Sequence, residues 1–279
     1  MARKKDGKGP EIKAPAGACD THMHFYDSRF ETAATATFTP PDAKLEDYRA
    51  VQEALGLERV VVVQPTTYGT DNSCQLEAMA ALGESARGIM VVDETTTEEE
   101  LERLTALGAR GARFHMLPGG AVGWDIIESV AAKIRPFGWH IQLQMNGREF
   151  VERIAVVRNL PVPLVVDHVG RFTPPVPAED ANFKILLGLL EAGNCWVKLS
   201  APYESSSDGP PAFADVAAEA EILARTAPER MLWATNWPHP NQKKPLTPAA
   251  TLKLLHDWIP DEALRHKALV DNPAALYGF

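Results

Sequence analysis

The chain has 279 residues, of which 45% are apolar and 23% charged, a composition typical of a folded globular protein. The net charge of -9, from 28 basic and 37 acidic residues, argues against a nucleic-acid partner. No apolar stretch approaches the roughly 20 residues of a membrane-spanning helix, so no association with a membrane is expected.

The N-terminal segment and the cysteines indicate the cellular compartment in which the protein is expected. Segment 1–14 is basic but lacks the apolar core of a secretory signal, so we expect a disordered lead-in before a single domain over 15–279. Cys19, Cys74 and Cys195 lie far apart and form no zinc-binding or redox spacing. We therefore expect free thiols and a cytoplasmic location.

Short apolar runs alternate with amphipathic segments along the chain. The β-branched run at 59–64 is typical of a strand buried on both faces, and the apolar spacing in 42–55 predicts a helix. Thr97, followed by three glutamates, predicts a helix N-terminus. The predicted strands span 18–25, 59–64, 87–93, 111–116, 139–145, 162–168, 195–200 and 231–236. The predicted helices span 42–55, 71–85, a segment opening at Thr97, 124–134, 149–158, 181–190, 213–226 and 248–258, with a last one from Asp261.

This alternation predicts an α/β fold. Eight strands, each followed by a helix, form parallel βαβ units that close into a (β/α)8 TIM-like barrel. The alternative is an open doubly wound sheet. That fold would require a glycine-rich phosphate turn after the first strand, where 20–24 instead reads Asp-Thr-His-Met-His.

Polar residues near predicted strand ends are the candidates for chemistry, because barrel active sites lie there. His22 and His24 share one face of the first strand, and His168 ends the sixth. Converging imidazoles suit metal binding, proton transfer or carbonyl polarisation; the alternative is half-buried histidines with satisfied hydrogen bonds. Asp167 is expected to point away from His168 and to cap a loop. Asn236, a neutral amide, ends the eighth strand.

A second set of polar residues is expected to face the same lumen. Arg113 and His115 alternate on strand four, and a buried arginine needs either a substrate anion or an internal acid such as Asp93. Gln142 and Gln144 share one face of strand five and suit hydroxyl-rich ligands. Polar residues also follow strand two, namely Thr66, Thr67, Tyr68, Asp71 and Asn72, and strand seven, namely Ser200, Tyr203 and Glu204.

The motifs together resemble the amidohydrolase superfamily, and most closely its 2-pyrone-4,6-dicarboxylate lactonase branch. They are His-x-His on strand one, Asp-His-x-Gly-Arg on strand six, Trp-x-Thr-x-Trp-Pro-His-Pro after strand eight and Asn-Pro-Ala-Ala-Leu-Tyr at 272–277. The resemblance covers nearly all of 15–279. It implies a distorted (β/α)8 barrel.

The resemblance also implies which residues could hold a metal. Metal-dependent members use the His-x-His pair, further histidines, a lysine or glutamate on strand four and an aspartate after strand eight. Here only His22, His24 and His168 match, and Asn236 replaces the aspartate. Three neutral imidazoles and an amide supply no anionic ligand, so neither a metal nor another cofactor is expected.

The replacement of the aspartate by Asn236 also changes which reaction is expected. In lactonases of this branch the aspartate is the general base for water, and an amide cannot accept a proton at neutral pH. The resemblance therefore implies a lactone isomerase, in which a hydroxyl of a sugar-acid lactone attacks the carbonyl. The expected catalytic residues are His22, His24, His168 and Asn236, and the expected substrate-binding residues are Arg113, Gln142, Gln144, Tyr203, Thr66 and His115.

Three other functions remain open at this point. They are a sugar lactonase that uses a histidine as base, a zinc-dependent hydrolase or decarboxylase of the superfamily, and a non-catalytic sugar-acid binding protein. In each case the expected partner is a small molecule, and the sequence gives no oligomeric state.

Overall fold

The computed structural model describes residues 12–279, so most of the predicted lead-in, 1–11, lies outside the described residues. The rest of that segment packs onto the domain. The backbone N–H of Ala14 donates to the carbonyl of Leu55 at 2.8 Å, and Ile12 and Ala14 contact the core. Residues 12–14 therefore pack against the barrel domain.

Within residues 12–279, eight parallel strands pair in chain order. The strands are β1 (Cys19–Met23), β2 (Arg59–Val63), β3 (Ala86–Met90), β4 (Ala109–His115), β5 (His140–Gln144), β6 (Leu164–Val166), β7 (Cys195–Leu199) and β8 (Met231–Trp233). The helices are α1 (Leu45–Leu55), α2 (Ser73–Leu82), α3 (Glu98–Ala106), α4 (Ile127–Ile134), α5 (Phe150–Arg158), α6 (Ala181–Glu191), α7 (Ala214–Thr226), α8 (Pro248–Trp258), α9 (Glu262–His266) and α10 (Asn272–Tyr277). The predicted (β/α)8 barrel is confirmed, and the open-sheet alternative is wrong.

The segment after β8 meets β1 through backbone hydrogen bonds that close the barrel. The N–H of Asn236 donates to the carbonyl of His22, and the N–H of His24 donates to the carbonyl of Trp237, both at 2.9 Å. This seam places the His-x-His pair directly beside Asn236, although more than two hundred positions of sequence separate them.

Alternate strand residues pack on opposite sides of the sheet. Val60 and Val62 belong to the large core between strands and helices, whereas Val61 and Val63 belong to a smaller cluster with other strands and Tyr277 of α10. This two-sided burial explains the β-branched run of β2. The small apolar cluster fills part of the lumen, so the polar lumen residues are concentrated toward the carboxyl ends of the strands.

The ends of the elements differ from the predictions. The β6 and β8 strands stop at Val166 and Trp233, so His168 and Asn236 lie beyond them, each with a left-handed φ of 56°. The apolar runs that predicted these strands continue past the last ladder hydrogen bonds, because the turns that follow are buried as well. Thr97 is the N-cap of α3 as predicted, and its hydroxyl accepts from the N–H of Glu100 at 3.2 Å.

Two further expectations concern thiols and membranes. All three cysteines are free and buried, as predicted. Among the described residues, no helix combines the length and apolar character needed to cross a membrane.

Candidate active site

A cavity of about 390 Å³ opens at the carboxyl ends of the strands, a size in the usual range for small-molecule sites. It is lined by eight predicted site residues: His24, Thr66, Arg113, His115, Gln144, His168, Tyr203 and Asn236. Glu204 and Arg171 line it as well. His22 and Gln142 do not line the cavity. Both are fully buried beneath the cavity, so they act on it only through other residues.

Asp167, His22 and His24 form a chain of contacts that ends at the cavity wall. His22 Nδ1 lies 3.2 Å from Asp167 Oδ1, and His22 Nε2 lies 3.2 Å from His24 Nε2. His24 Nδ1 lies 2.8 Å from the carbonyl oxygen of Val63, which can only accept, so Nδ1 carries the proton. Burial lowers the pKa of both imidazoles well below its usual value. A neutral His24 therefore has its lone pair on Nε2, the atom that also contacts His22 Nε2.

The predicted orientation of Asp167 is wrong. Its side chain is buried in the lumen, where Oδ1 contacts His22 and Oδ2 accepts from Gln142 Nε2 at 3.2 Å. Because β6 ends at Val166, the alternation of a regular strand no longer sets the direction of this side chain. The predicted set of three imidazoles and an amide therefore also has a carboxylate beside it, because Asp167 contacts His22.

Lys198 of β7 also lies in the lumen and was not predicted as a site residue. Its ammonium donates to the carbonyl of Thr21 at 2.7 Å and to Gln142 Oε1 at 2.6 Å, and it lies 3.8 Å from Asp167 Oδ1. Burial lowers the pKa of Lys198 to about 8, against the opposing effect of Asp167. Burial alone would raise the pKa of Asp167, but His22 and Lys198 hold it well below its usual value. The sequence signal was a lysine inside the apolar strand Cys195–Leu199.

Asn236 presents an amide to the cavity. Its Nδ2 donates to Tyr203 Oη at 2.9 Å, and that hydroxyl lies 3.0 Å from His239 Nδ1, to which it can donate in turn. Asn236 Oδ1 is buried and has no hydrogen-bond partner among the described residues. A buried acceptor without a partner is costly, so this oxygen is suited to a hydroxyl of a bound ligand.

Arg113 presents a guanidinium that contacts amide oxygens rather than a carboxylate. Nη1 donates to the carbonyl of Gln64 at 2.6 Å and Nη2 to Gln144 Oε1 at 2.9 Å, whereas Nε has no partner among the described residues. The alternative of a salt bridge to Asp93 is wrong, because that carboxylate accepts from Thr95 and Thr96. Arg113 is thus a buried cation that lines the cavity and forms no salt bridge with the described residues.

Glu204 and Arg171 form an ion pair on the cavity wall. Arg171 Nε donates to Glu204 Oε2 at 2.8 Å, and Gln144 Nε2 donates to the same oxygen at 3.0 Å. His115 Nδ1 lies 3.2 Å from Gln144 Oε1, and burial lowers the pKa of His115 to about 4. Gln144 therefore connects Arg113 to Glu204, with its oxygen facing the cation and its nitrogen facing the anion.

His168 faces the cavity from the turn that follows β6. Its Nδ1 lies 2.8 Å from Ser200 Oγ, and its Nε2 lies 3.9 Å from Glu204 Oε1. Burial lowers the pKa of His168, while Glu204 and Asp167 work in the opposite direction. The cavity is thus lined by the imidazoles of His24, His115 and His168, by the guanidinium of Arg113 and by the amides of Gln144 and Asn236. This combination is suited to polarising and rearranging an oxygen-rich, anionic ligand.

A (β/α)8 barrel with a His-x-His pair and further polar groups at the carboxyl ends of its strands defines the amidohydrolase class of barrel enzymes. The family model described as Amidohydrolase matches residues 19–279, and the chain belongs to this family.

Comparison with known proteins shows which members of this family the chain resembles. D-galactarolactone isomerase of Agrobacterium fabrum is 36% identical, over 99% of this chain and 96% of its own. A 2-pyrone-4,6-dicarboxylate hydrolase of Comamonas testosteroni is 34% identical, over 96% of this chain and 92% of its own. An apo crystal structure from Agrobacterium tumefaciens, 36% identical, superposes with a TM-score of 0.91 and covers 97% of this chain and 99% of its own. The predicted resemblance to the pyrone-dicarboxylate lactonase branch is confirmed.

Proposed function

We propose that this protein is an enzyme acting on lactones, and specifically that it converts D-galactaro-1,5-lactone to D-galactaro-1,4-lactone. The observation that carries the proposal is Asn236. It lines the cavity just after β8, where the resemblance to the lactonase branch places a general base, and its amide cannot accept a proton from water. The similarity to a D-galactarolactone isomerase supports the same reading.

The proposed reaction is an intramolecular acyl transfer. The 4-hydroxyl oxygen of the substrate attacks the lactone carbonyl carbon, so the bond from O4 to C1 forms and the bond from C1 to O5 breaks. One proton passes from O4 to O5, and no water is consumed. Because the nucleophile belongs to the same molecule as the carbonyl, proximity replaces most of the activation that water would need.

The cavity residues have distinct roles in this proposal. His24 Nε2, whose lone pair faces away from the carbonyl of Val63, takes the proton from O4 and returns it to O5. His168 polarises the lactone carbonyl, and Arg113 binds the free carboxylate. Asn236 Oδ1 accepts from a substrate hydroxyl beside Tyr203. His22 does not line the cavity and orients His24.

We propose that this reaction needs no metal. Among the described residues, one ligand atom each of His22, Asp167 and His168 lie within 4.8 Å of one another, enough donors for a catalytic zinc ion. However, the ammonium of Lys198 lies 3.8 Å from Asp167 Oδ1 and 3.4 Å from His22 Nδ1, so it already serves as the counter-ion. The set therefore fits a divalent cation poorly. Stoichiometric metal in the purified protein, with activity lost to a chelator, would contradict this proposal.

Lactone hydrolysis is the second candidate. One observation favours it, because Glu204 places a carboxylate 3.9 Å from His168 Nε2 at the cavity wall. That carboxylate is already engaged, however, because its Oε2 accepts from Arg171 and Gln144. Burial works to raise its pKa, but His168 and Arg171 outweigh this effect and lower it. The isomerase therefore remains the better supported function.

The two candidates are separated by carrying out the reaction in ¹⁸O-labelled water. Purified protein is incubated with D-galactaro-1,5-lactone and the products are followed by NMR and mass spectrometry. An unlabelled 1,4-lactone is the expected product. Labelled open-chain galactarate as the main product would show hydrolysis instead, and saturable binding without turnover would indicate a binding protein.

A further inference from the structure

The cavity wall carries two arginines whose electrostatic states differ. Arg113 contacts only amide and carbonyl oxygens, so its positive charge is available to a ligand. Arg171 is paired with Glu204 at 2.8 Å, and both side chains of this pair are 20% exposed. Among the described residues that line the cavity, Arg113 is thus a cation without a salt bridge, and Arg171 and Glu204 form an ion pair.

The second oxygen of Glu204 faces the cavity without an equivalent partner. Oε2 accepts from Arg171 and Gln144, whereas Oε1 accepts no hydrogen bond among the described residues and lies 3.9 Å from His168 Nε2. A carboxylate with a free acceptor oxygen suits a ligand hydroxyl and repels a ligand carboxylate. Glu204 therefore has two effects on a second ligand anion, since it repels that anion directly and neutralises Arg171.

We propose that Glu204 is a specificity-determining residue that restricts the cavity to hydroxylated ligands with a single carboxylate. The carboxylate binds at Arg113, and the hydroxyl-bearing part of the ligand lies against Glu204. This inference rests on the proposed function, because it takes the substrate to be a sugar-acid lactone. A galactarolactone carries one free carboxylate and is accepted, whereas open-chain galactarate carries two and is excluded.

Two open-chain ligands test the inference without any turnover. D-galactonate and galactarate share the same hydroxylated carbon chain and differ at one end, which is a hydroxymethyl group in the first and a carboxylate in the second. Isothermal titration calorimetry gives the dissociation constant of each. The wild-type protein is expected to bind galactonate about tenfold more tightly than galactarate, or better.

Three variants test whether the Arg171–Glu204 ion pair causes the preference for galactonate. Glu204→Gln keeps the shape, removes the repulsion and releases Arg171, so the preference for galactonate should fall at least about tenfold. Glu204→Asp keeps the charge and should keep the preference. Adding Arg171→Gln to Glu204→Gln should abolish the gain in galactarate affinity. Circular dichroism melts establish that each variant is folded.

Two results would overturn the inference: a wild-type protein that binds both ligands equally, or a Glu204→Gln variant with an unchanged preference. A failure of the proposed isomerase function would give a different result from a failure of this inference. A protein that discriminates between these ligands but does not convert the 1,5-lactone retains the specificity role and loses the isomerase assignment.

Discussion

At the scale of single residues, Asn236 is where isomerisation and hydrolysis are proposed to diverge. Replacing it by aspartate restores a carboxylate beside Tyr203, and aspartate tolerates the left-handed backbone nearly as well as asparagine. We expect Asn236→Asp to gain lactone hydrolysis by about 10²-fold or more, since general-base catalysis contributes that much. The measurement is ¹⁸O incorporation into galactarate.

A matched control for this variant is Asn241→Asp. Asn241 also lines the cavity and has a left-handed φ of 64°, but it lies farther along the same loop. It should change hydrolysis little. If Asn236→Asp isomerises as before and incorporates no added label, this position does not decide between the two reactions.

The pair formed by Lys198 and Asp167 gives a second prediction. Removing one member of a buried ion pair leaves an uncompensated charge, which typically costs about 3–5 kcal/mol. We expect Lys198→Met to lower the free energy of unfolding by this order, because both side chains are fully buried. Urea denaturation measures the loss. The double variant Lys198→Met, Asp167→Asn should recover much of it, and equal losses in the single and double variants would contradict the coupling.

Several site residues could be predicted from the sequence, and others could not. His22, Arg113 and Gln144 lie on strands, where alternation fixes the side of the sheet that each side chain faces, and His24 directly follows β1. Asp167 lies just past the end of β6, where that rule no longer applies, and its orientation was predicted wrongly. The contacts that orient it come from other strands, so local sequence does not contain them.

At the scale of elements, Glu219 links α7 to the loop that contains Val176. One carboxyl oxygen accepts from the N–H of Val176 at 2.8 Å, and the other has no partner among the described residues. Burial raises the pKa of Glu219 to about 8. The folded protein therefore holds this proton more tightly than the unfolded chain does, so the contribution is complete below the usual glutamate pKa and is lost as the pH rises toward 8.

The raised pKa of Glu219 predicts that the effect of Glu219→Gln on the free energy of unfolding depends on pH. The variant has no proton to lose, so its stability relative to wild type should increase between pH 5 and pH 8, by up to about 1.4 kcal/mol per pH unit. Urea denaturation across this range measures the difference. The exposed Glu191→Gln serves as the control and should show no trend. A difference that is constant with pH would contradict a buried protonated Glu219.

At the scale of elements, the existence of each strand was easier to predict from the sequence than the residue at which it ends. Each apolar run predicted a strand that the structure contains, because a barrel strand is buried on both faces and reads as a continuous run. The run 162–168, however, yields only the short strand Leu164–Val166. Burial continues into the turn after it, and hydropathy reports burial rather than hydrogen bonding. The hydropathy pattern thus does not show where the strand ends, and that end sets the orientation of the proposed catalytic residue His168.

At the scale of the whole molecule, the site depends on barrel closure. Asp20 on β1 accepts at Oδ1 from the N–H of Thr235 at 2.9 Å, and at Oδ2 from Thr235 Oγ1 at 2.5 Å and Tyr48 Oη at 3.0 Å. It therefore joins β1 both to the segment after β8 and to α1. The same seam contains the backbone bond from Asn236 to His22. Stability and catalytic geometry should consequently fail together when this carboxylate is removed.

We therefore predict that Asp20→Ala lowers the free energy of unfolding by at least about 3 kcal/mol, because it removes the acceptor of four buried donors, the N–H groups of His22 and Thr235 and the hydroxyls of Thr235 and Tyr48. It should also reduce kcat, although Asp20 does not line the cavity. Tyr48→Phe is the matched control, because it removes a single donor to the same carboxylate and should cost about 1 kcal/mol. Urea denaturation and lactone turnover measure the two effects. An Asp20→Ala variant that is destabilised but still turns over at the wild-type rate would show that the seam stabilises the barrel without setting the positions of His22 and Asn236.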